Sequence, residues 1–467
     1  MAKLKLAYIF CLCTALGSLC EDLHAQSRPF DNFNFRNFRM SLAVQTARPA
    51  SMGGAAIAST GDPVTGVINP ASLTAITRPV FTSSHRMTIS QIEEPSYNCN
   101  NAGRRTTEDD FLIDLSHAAN VYPYKYLRMS AFRELVANDR YTFRSYRPFD
   151  TGGTPEALLR SNAPSRRTNA RLSIVDNGGA IGIRMSRKIS IGALLRITRF
   201  DYELQEGRFF ASEYHNETVG CVRSELVAEN LYLNQTIDER AWGLGFGLGA
   251  TFLVNDELTL GLIFHNRPSF KLKSRIYQPL YEVRQISGQD TSLTVLGARD
   301  DTATVANFNI PDNLGLGFHY KVSSSLKVAA DVVFIEYRNL ISGDANLDLE
   351  QDNSPTDPDG LPDLELSSGI HIKDWQLHFR AGIEFILSLR EKRWRIPLRV
   401  GYAYEPAHVL HAANENESLR QSFPRELTKH HITAGSGFFL GKRLRLDGAL
   451  NVARNFVELS SSAVFIL

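Results

Sequence analysis

The feature that most constrains this fold is an alternation of apolar and small or polar residues that recurs along the chain from Pro79 onward. Between Ala241 and Phe252 one face carries Trp242, Leu244, Phe246, Leu248, Ala250 and Phe252. The other face carries Gly243, Gly245, Gly247, Gly249 and Thr251. A half-buried soluble strand would place charges there, so this nearly bare face predicts a wall whose four glycines line an occupied lumen.

Later segments repeat the alternation with a more polar inner face. Apolar residues alternate from Leu314 to Tyr320, from Trp375 to Phe385 and from Trp394 to Tyr404. Aromatic residues near the ends of such segments are typical of the girdles that membrane barrels place at the lipid headgroups. The pattern therefore predicts transmembrane β-strands.

Connections along the chain alternate between short and long. Short turns are predicted at residues 123–125, 186–188, 255–256, 323–325, 389–391 and 441–442, and near Arg454. Long polar segments are predicted at residues 91–110, 147–167, 206–237, 276–304, 340–367 and 406–427. Short periplasmic turns and long extracellular loops are typical of outer-membrane barrels. We therefore expect an all-β fold, a transmembrane antiparallel β-barrel of about 14 strands, with 12 or 16 as alternatives.

The N-terminus predicts secretion. Lys3 and Lys5 precede an apolar run from Leu6 to Leu19, which is too short for a transmembrane helix and reads as a signal peptide over residues 1–25, cleaved after Ala25. Cys20 raises a lipoprotein alternative, but Leu19 lacks the small side chain that lipid attachment normally requires. Because no later apolar run could span a bilayer as a helix, a membrane form must be a closed barrel.

Net charge and cysteine content exclude few further classes of partner or compartment. The formal net charge of +1 is unchanged when residues 1–25 are removed, so no polyanion such as nucleic acid is implied as a partner. Cys99 and Cys221 remain in the mature chain, where either a disulfide or two free thiols is compatible with the sequence.

One segment before the strands differs from all others. Residues 48–73 are rich in small side chains, including Gly53 and Gly54, and they end in the turn Asn69-Pro70-Ala71. This composition suits either a plug packed inside a barrel or a flexible linker. We interpret residues 26–77 as an N-terminal periplasmic segment and hatch, followed by a barrel over residues 78–467. Arg48 and Asp62 are predicted to anchor the hatch to the wall, and glycines are predicted to loosen it for gating.

The segment MGGA to NPASL resembles the N-terminal hatch of the long-chain fatty-acid transporter family (FadL) and its aromatic-hydrocarbon relatives, with Asn69, Pro70 and Ala71 on the NPA signature. AWGLGFGLGATFLVNDELTLGLIFHNRPSFKLKS, IPDNLGLGFHYKVSSSLKVAADVVFIEY and IPLRVGYAYEP resemble strand-turn-strand units of that family, in the same order. The chain departs from the pattern at its end, Val464 to Leu467, which lacks the usual terminal aromatic residue. The family's pocket residues are not recognisable.

The resemblance implies an outer-membrane barrel that takes up hydrophobic small molecules and releases them sideways through an opening in the wall. An apolar pocket could bind such cargo without covalent chemistry, because each buried methylene contributes about 0.8 kcal/mol. Rival interpretations are a same-family barrel acting as a secretion subunit or protein shuttle of the type IX kind, and a structural or adhesive barrel. The expected partners are the hydrophobic ligand, outer-membrane lipid and the barrel-assembly machinery.

Sequence motifs for metal binding or catalysis are weak or absent. Asp357, Asp359 and Asp363 have a spacing that can wrap calcium, although an acidic turn is the commoner reason for it. The histidines lack the spacing of a metal site, and no nucleophile, phosphate-binding or dinucleotide motif is present. We therefore expect no enzyme and no cofactor.

Overall fold

The computed structural model describes residues 42, 46–95, 105–145, 165–209, 231–285, 291–337, 340–342, 370–371, 375–389, 394–406, 411–412, 428–441 and 443–467. The predicted signal peptide, Cys99, Cys221 and the calcium candidates Asp357, Asp359 and Asp363 all lie outside these residues. Among the residues described, no helix is long and apolar enough to cross a membrane.

Within the described residues, three short helices precede the strands: α1 (Ala47–Ala50), α2 (Thr65–Ile68) and a 3-10 helix (Pro70–Ala75). The strand segments follow in chain order: β1 (Val80–Pro95), β2 (Arg105–Tyr124), β3 (Leu127–Ser145), β4 (Ser165–Arg184), β5 (Ile189–Phe209), β6 (Leu231–Leu253), β7 (Leu258–Asn266), β8 (Ser269–Gln285), β9 (Thr291–Asn309), β10 (Asn313–Lys321), β11 (Leu326–Glu336), β12 (Ile341–Ser342), β13 (Ile370–His371), β14 (Trp375–Leu389), β15 (Trp394–Glu405), β16 (His411–Ala412), β17 (Lys429–Leu440), β18 (Leu444–Ala453) and β19 (Phe456–Ile466).

These segments close into one antiparallel barrel. Five of them continue the preceding segment after a short break, namely β8, β10, β12, β14 and β16, so the barrel has 14 strands. The last strand pairs with the first, from Val80 opposite Ile466 to Ser90 opposite Phe456. The predicted fold class and strand number are confirmed.

Alternation gives the wall an apolar outside and a polar inside. Leu244 and Ile432 point outward and are 67% and 71% exposed. Along β14 the inward side chains of Gln376, Arg380 and Glu384 are buried instead. This arrangement is the reverse of a soluble barrel and suits strands whose outer face meets lipid.

The long loops were predicted with wrong boundaries. Residues 276–304 were expected to form a loop, but β8 continues to Gln285 and β9 begins at Thr291, with the two strands paired almost throughout. Beyond the membrane both faces of a strand can be polar, so the apolar alternation ends there while backbone hydrogen bonding continues.

The described residues of the hatch lie inside the barrel. Val67, Leu73 and Ile76 of the hatch share a buried apolar cluster with the wall residues Phe132 and Leu194. The interpretation of this segment as a plug, rather than a linker, therefore agrees with its burial, and the small residues around it are explained by close packing against the wall.

Candidate functional site

The NPA signature builds a joint between hatch and wall. Asn69 precedes the 3-10 helix in an extended conformation, and its Oδ1 accepts a hydrogen bond from the Ala71 amide at 3.1 Å. Its Nδ2 donates to the carbonyl oxygens of Ile57 at 2.8 Å and of Ala250 in β6 at 3.1 Å. Pro70 starts the helix, where its missing N–H removes nothing. One side chain thus caps a helix, closes a hatch loop and contacts the wall.

A row of wall glycines receives this joint. Gly182, Gly192 and Gly249 lie opposite one another on β4, β5 and β6. A side chain added at Gly192 would meet the Ala71 nitrogen at 2.5 Å, and one added at Gly249 would meet the Pro70 ring at 2.8 Å. We call these three residues the glycine seat, because only glycine lets the hatch backbone approach the strands so closely.

On the opposite side of the lumen, Gly53 makes the closest contact. Its backbone has φ +66°, and a side chain there would collide with the carbonyl oxygens of Tyr402 and Ala381. Its amide donates to Thr433 Oγ1 at 2.9 Å. Gly54 also has a positive φ, +83°. Both glycines are thus held against the wall, while the predicted role in gating stays a prediction.

A wall carboxylate binds the hatch backbone between these two contacts. Asp331 in β11 accepts hydrogen bonds from the amides of Ala56 at 2.6 Å and Ile57 at 2.9 Å. Its neighbours are the buried side chain of Ile57 in the hatch and Arg380, which lies directly opposite it on β14. The carboxylate therefore accepts hydrogen bonds from two backbone amides of the hatch, an irregular segment whose own backbone does not pair with them.

A closed ring of six charged side chains joins the hatch to three wall strands. We call it the ion ring; its members in order are Arg48, Glu384, Arg399, Asp447, Arg445 and Asp62. Arg48 and Asp62 belong to the hatch, and the others belong to β14, β15 and β18. The ring contains equal numbers of arginines and carboxylates, so each buried charge has partners on both sides.

Distances around the ion ring fall within ion-pair range. Arg48 lies 3.5 Å from Asp62 and 3.3 Å from Glu384. Arg445 Nη2 lies 2.5 Å from Asp62, and Arg399 lies 2.7 Å from Glu384. Lys327 adds a further contact to Glu384 at 2.8 Å. Both residues predicted to anchor the hatch therefore contact charged partners, which the sequence did not identify.

The pKa of Asp62 is lowered from its ordinary value. Burial raises the pKa, but the positive charges of Arg445 and Arg48 lower it by more. The pKa of Arg48 is raised although burial lowers it, because Glu384 and Asp62 favour the charged form. The hatch side of the ion ring is thus fully charged at neutral pH.

The four predicted lumen glycines face inward with different neighbours. Gly249 belongs to the glycine seat, whereas Gly247 lies against Leu194 and His265. Gly243 and Gly245 face Pro268 and the Asn266 carbonyl at the break between β7 and β8. The bare face therefore packs against the hatch only at its lower end.

The wall has an opening between β2 and β3. These strands pair from Tyr124 opposite Leu127 to His117 opposite Glu134. Above that level β2 continues to pair with β1 and β3 with β4, but no pair joins residues 105–116 to residues 135–145 in the described chain. Instead Asn138 Nδ2 donates to Asp114 Oδ1 at 2.8 Å across the gap. We call this gap the β2–β3 slit.

Two β-bulges lie where the ladder ends. The register between β1 and β2 skips Ser116, whose hydroxyl donates to the Ser84 carbonyl, and the register between β3 and β4 skips Val136. A bulge bends its strand and interrupts pairing. Phe111 and Ile113 beside the slit are 57% and 66% exposed, so the slit begins within the apolar outer band.

A cavity of about 120 Å³ connects the hatch to the slit. Gly53 and Gly54 form its floor, and Leu112, Val136 and Ala137 border the slit. Its charged lining consists of Arg86, Asp139, Arg380, Glu405, Lys429 and Glu458. The lining is thus mixed rather than apolar, and most apolar side chains of the lumen pack in a cluster that meets the cavity at Val136 and Ala137.

Sequence reasoning missed Asp331, Arg399, Arg445 and Asp447. Each is a charged residue at an inward position of a strand in which apolar and polar residues alternate. This pattern was the signal that the sequence offered for them. Sequence spacing alone does not reveal which of these charges meet. The described part of the chain contains no group of three His, Cys, Asp or Glu side chains arranged to hold a metal ion.

Comparisons with known proteins agree with this architecture. A family model described as "Outer membrane protein transport protein (OMPP1/FadL/TodX)" matches residues 42–453. A Pseudomonas aeruginosa FadL homologue superimposes with a TM-score of 0.57 at 12% identity, covering 92% of this chain and 99% of the other. No curated protein matches the sequence.

Two further solved structures share the fold. The Pseudomonas putida toluene transporter TodX gives a TM-score of 0.53 at 14% identity, over 91% of this chain and 98% of the other. The CymD monoaromatic hydrocarbon channel gives 0.54 at 12% identity, over 92% and 99% of the two chains.

Proposed function

Because this chain belongs to the outer membrane protein transport protein family (OMPP1/FadL/TodX), a family of outer-membrane channels for hydrophobic compounds, we propose that it carries small hydrophobic molecules by passive diffusion and releases them sideways through the β2–β3 slit. The observation that carries the proposal is the slit itself, which lies at the level of the lipid-facing band and opens onto the cavity above the hatch.

The hatch supports a sideways rather than an axial route. Its backbone contacts the glycine seat on one side and Gly382 and Gly401 on the other, where added side chains would collide with Met52. At its end Arg128 and Arg184 donate to the carbonyl oxygens of Ile76 and Thr74 at 2.6 and 2.8 Å. Cargo that reaches the cavity therefore meets a packed floor and an open wall.

Lipid-level release favours apolar cargo. A molecule that leaves the slit enters hydrocarbon, and each buried methylene contributes about 0.8 kcal/mol to that step. A polar solute would lose its hydration without compensation. The cargo we propose is an aromatic hydrocarbon or a long-chain fatty acid. The cavity of about 120 Å³ has Leu112, Val136 and Ala137 on the side that borders the slit, where such cargo would leave.

Two described relatives support the aromatic alternative. TodX is described as a toluene transporter and CymD as a monoaromatic hydrocarbon channel. We further propose that the hatch gates uptake, with the ion ring holding it closed, and that outer-membrane lipid receives the cargo. Assembly would use the barrel-assembly machinery, and the cycle requires no covalent chemistry.

A crosslink across the slit tests the proposal. Asp114→Cys and Asn138→Cys replace side chains that are hydrogen-bonded, and a short thiol-reactive crosslinker would join them in a background carrying Cys99→Ser and Cys221→Ser. Uptake of labelled oleate and labelled toluene is measured in a porin-depleted host. We expect crosslinking to abolish oleate uptake and to reduce toluene uptake.

The matched control joins the same strands where they already pair, with Asn120→Cys and Ala131→Cys. This crosslink should leave uptake of both probes unchanged. If cells with the uncrosslinked protein take up neither probe faster than cells without it, the proposed transport is wrong. If the slit crosslink leaves oleate uptake intact, the route is wrong.

A further inference from the structure

The wall has a second discontinuity, on one edge of β6. On one side β6 pairs with β5 along its length. On the other side it pairs with β7 from Phe246 to Leu253, and with β8 only from Asn234 to Thr236. Residues 237–245 have no registered partner on that side within the described chain. We call this stretch the β6–β8 seam.

The seam is filled by side chains instead of backbone hydrogen bonds. The adjacent strand is interrupted between Asn266 and Ser269, where Pro268 cannot donate to a ladder. A side chain added at Gly243, which faces inward, would collide with the Pro268 ring and would meet the Phe270 ring at 3.0 Å. The start of β8 therefore lies on the inner face of β6 rather than beside it.

An apolar cluster lies directly behind the seam. The Phe270 ring stacks on Phe200 with centroids 4.6 Å apart and an interplanar angle of 10°. Phe200 also lies 5.1 Å from Phe308. The same cluster includes Val136 and Ala137, which border the β2–β3 slit. Apolar side chains thus cross the lumen from the slit to the seam.

The outer side of the seam lies at the edge of the membrane. Trp242 and Leu244 are 64% and 67% exposed on the outer face of β6. Two and four residues before Trp242, Arg240 and Asp238 are exposed and paired with each other at 3.4 Å. An exposed tryptophan between apolar and charged residues is typical of the headgroup boundary. The lower seam therefore faces the outer leaflet.

The slit and the upper part of the seam differ in polarity. Arg86 and Asp114, at 3.7 Å, lie beside the slit. At the upper seam the neighbours of Gly243 are Pro268 and Phe270. The lower seam is charged: Gly245 meets the aliphatic stem of Arg196, and the Asp176 carboxylate pairs with the guanidinium groups of Arg196 at 3.2 Å and of Arg267, in the break itself, at 2.9 Å. The upper seam is therefore the apolar part of the proposed route.

We propose that the β6–β8 seam is a second lateral exit, specific for uncharged hydrophobic molecules, with the Phe270 ring as its gate. Rotation of this ring away from Gly243 would open the seam. No β-ladder pair has to break, because residues 237–245 of β6 have no registered partner on this side in the described chain. Anionic amphiphiles use the slit, where charged groups accompany their head. This inference rests on the proposed transport function and adds a second route with its own selectivity.

The experiment combines the slit crosslink with changes at the gate. With Asp114→Cys and Asn138→Cys crosslinked, oleate uptake should fall to that of cells without the protein, whereas part of the toluene uptake should remain. Adding Phe270→Ala should raise this remaining toluene uptake by about twofold or more, because truncation leaves a cavity at the seam.

Phe308→Ala is the matched control, since it removes the same ring from the same cluster without touching Gly243. It should leave the remaining toluene uptake unchanged. Heat-modifiable mobility in electrophoresis verifies that each variant folds. If the slit crosslink alone abolishes toluene uptake, or if both alanine variants act equally, the seam is not an exit. That result differs from failure of the proposed function, in which the uncrosslinked protein transports neither probe.

Discussion

The lower half of the barrel, near the short turns, and the upper half differ in how completely their neighbouring strands are paired. Near the short turns every neighbouring pair of strands is joined by a ladder, and the lumen is filled by the hatch. Further up, pairing stops at His117 opposite Glu134 and at Phe246 opposite Asn266, each eight paired positions above its turn. Under the proposed function, the lower half blocks aqueous passage and the upper half serves lateral exchange.

Removing the hatch should have the largest effect on this comparison. Deletion of residues 53–71 removes the NPA joint, Gly53 and the ion-ring member Asp62. Barrels of about 16 strands, only slightly larger than this one, enclose open aqueous channels. We therefore expect the deletion to produce a leak approaching that of a porin. Increased sensitivity to a large antibiotic measures it, and a barrel that stays impermeable would show that another element seals the lumen.

A single side chain in the glycine seat should have the next largest effect. Gly192→Val places atoms where the Ala71 nitrogen and the Pro70 carbonyl carbon lie, and overpacking of this kind costs about 1–3 kcal/mol. We expect the hatch to be displaced and antibiotic sensitivity to rise.

The control is Gly448→Val, since a side chain at Gly448 meets nothing within 4 Å. It should behave as wild type. Equal sensitivity of the two variants would mean that valine harms the wall itself rather than the fit of the hatch.

Breaking the ion ring should open the lower half partly. Asp62→Asn removes the carboxylate that Arg445 and Arg48 share, although Arg445 keeps Asp447 and Arg48 keeps Glu384. The ring is left with an excess positive charge, and removing one partner of a buried pair costs up to about 3–5 kcal/mol. We expect an intermittent ion current across planar bilayers.

Asp300→Asn is the matched control because its pair with Arg275 is exposed to solvent, where water and salt screen the attraction. No current is expected from it. A silent Asp62→Asn variant would show that close packing alone holds the hatch.

Mild acidification should have the smallest effect. The pKa of Asp62 lies below the ordinary 3.8, so its contribution to stability is fully present above that value and is lost only as the pH falls through the lowered pKa. The wild-type current should therefore stay near zero between about pH 7 and pH 5. A leak that appears within this interval would implicate a different titrating group.

The sequence predicts the lower half better than the upper half. Period-two alternation is a local pattern. The strands, their outward apolar residues and the lumen glycines could therefore be predicted from the sequence. Arg48 and Asp62 were recognisable as isolated charges in a segment of small residues. Their partners were not, because Glu384 and Arg445 are more than 300 positions away in the chain and meet the hatch only when the barrel closes.

The slit and the seam were not predictable for a related reason. Ser116 and Val136 are unremarkable in the sequence, and their bulges are defined by pairing with strands on either side. Pro268 gave a local signal, since proline within a strand predicts interruption of a ladder. Only the assembled barrel shows that the interrupted strand passes inside β6.

Amide hydrogen exchange in detergent micelles tests the contrast between the two halves most directly. In β2 and β3, the amides between residues 117 and 134 should exchange slowly, because these strands pair with each other. Amides of residues 105–116 and 137–145 that point into the slit should exchange much faster, while those paired to β1 and β4 stay protected. Uniform protection along both strands would mean that the wall is closed, and would contradict lateral release between them.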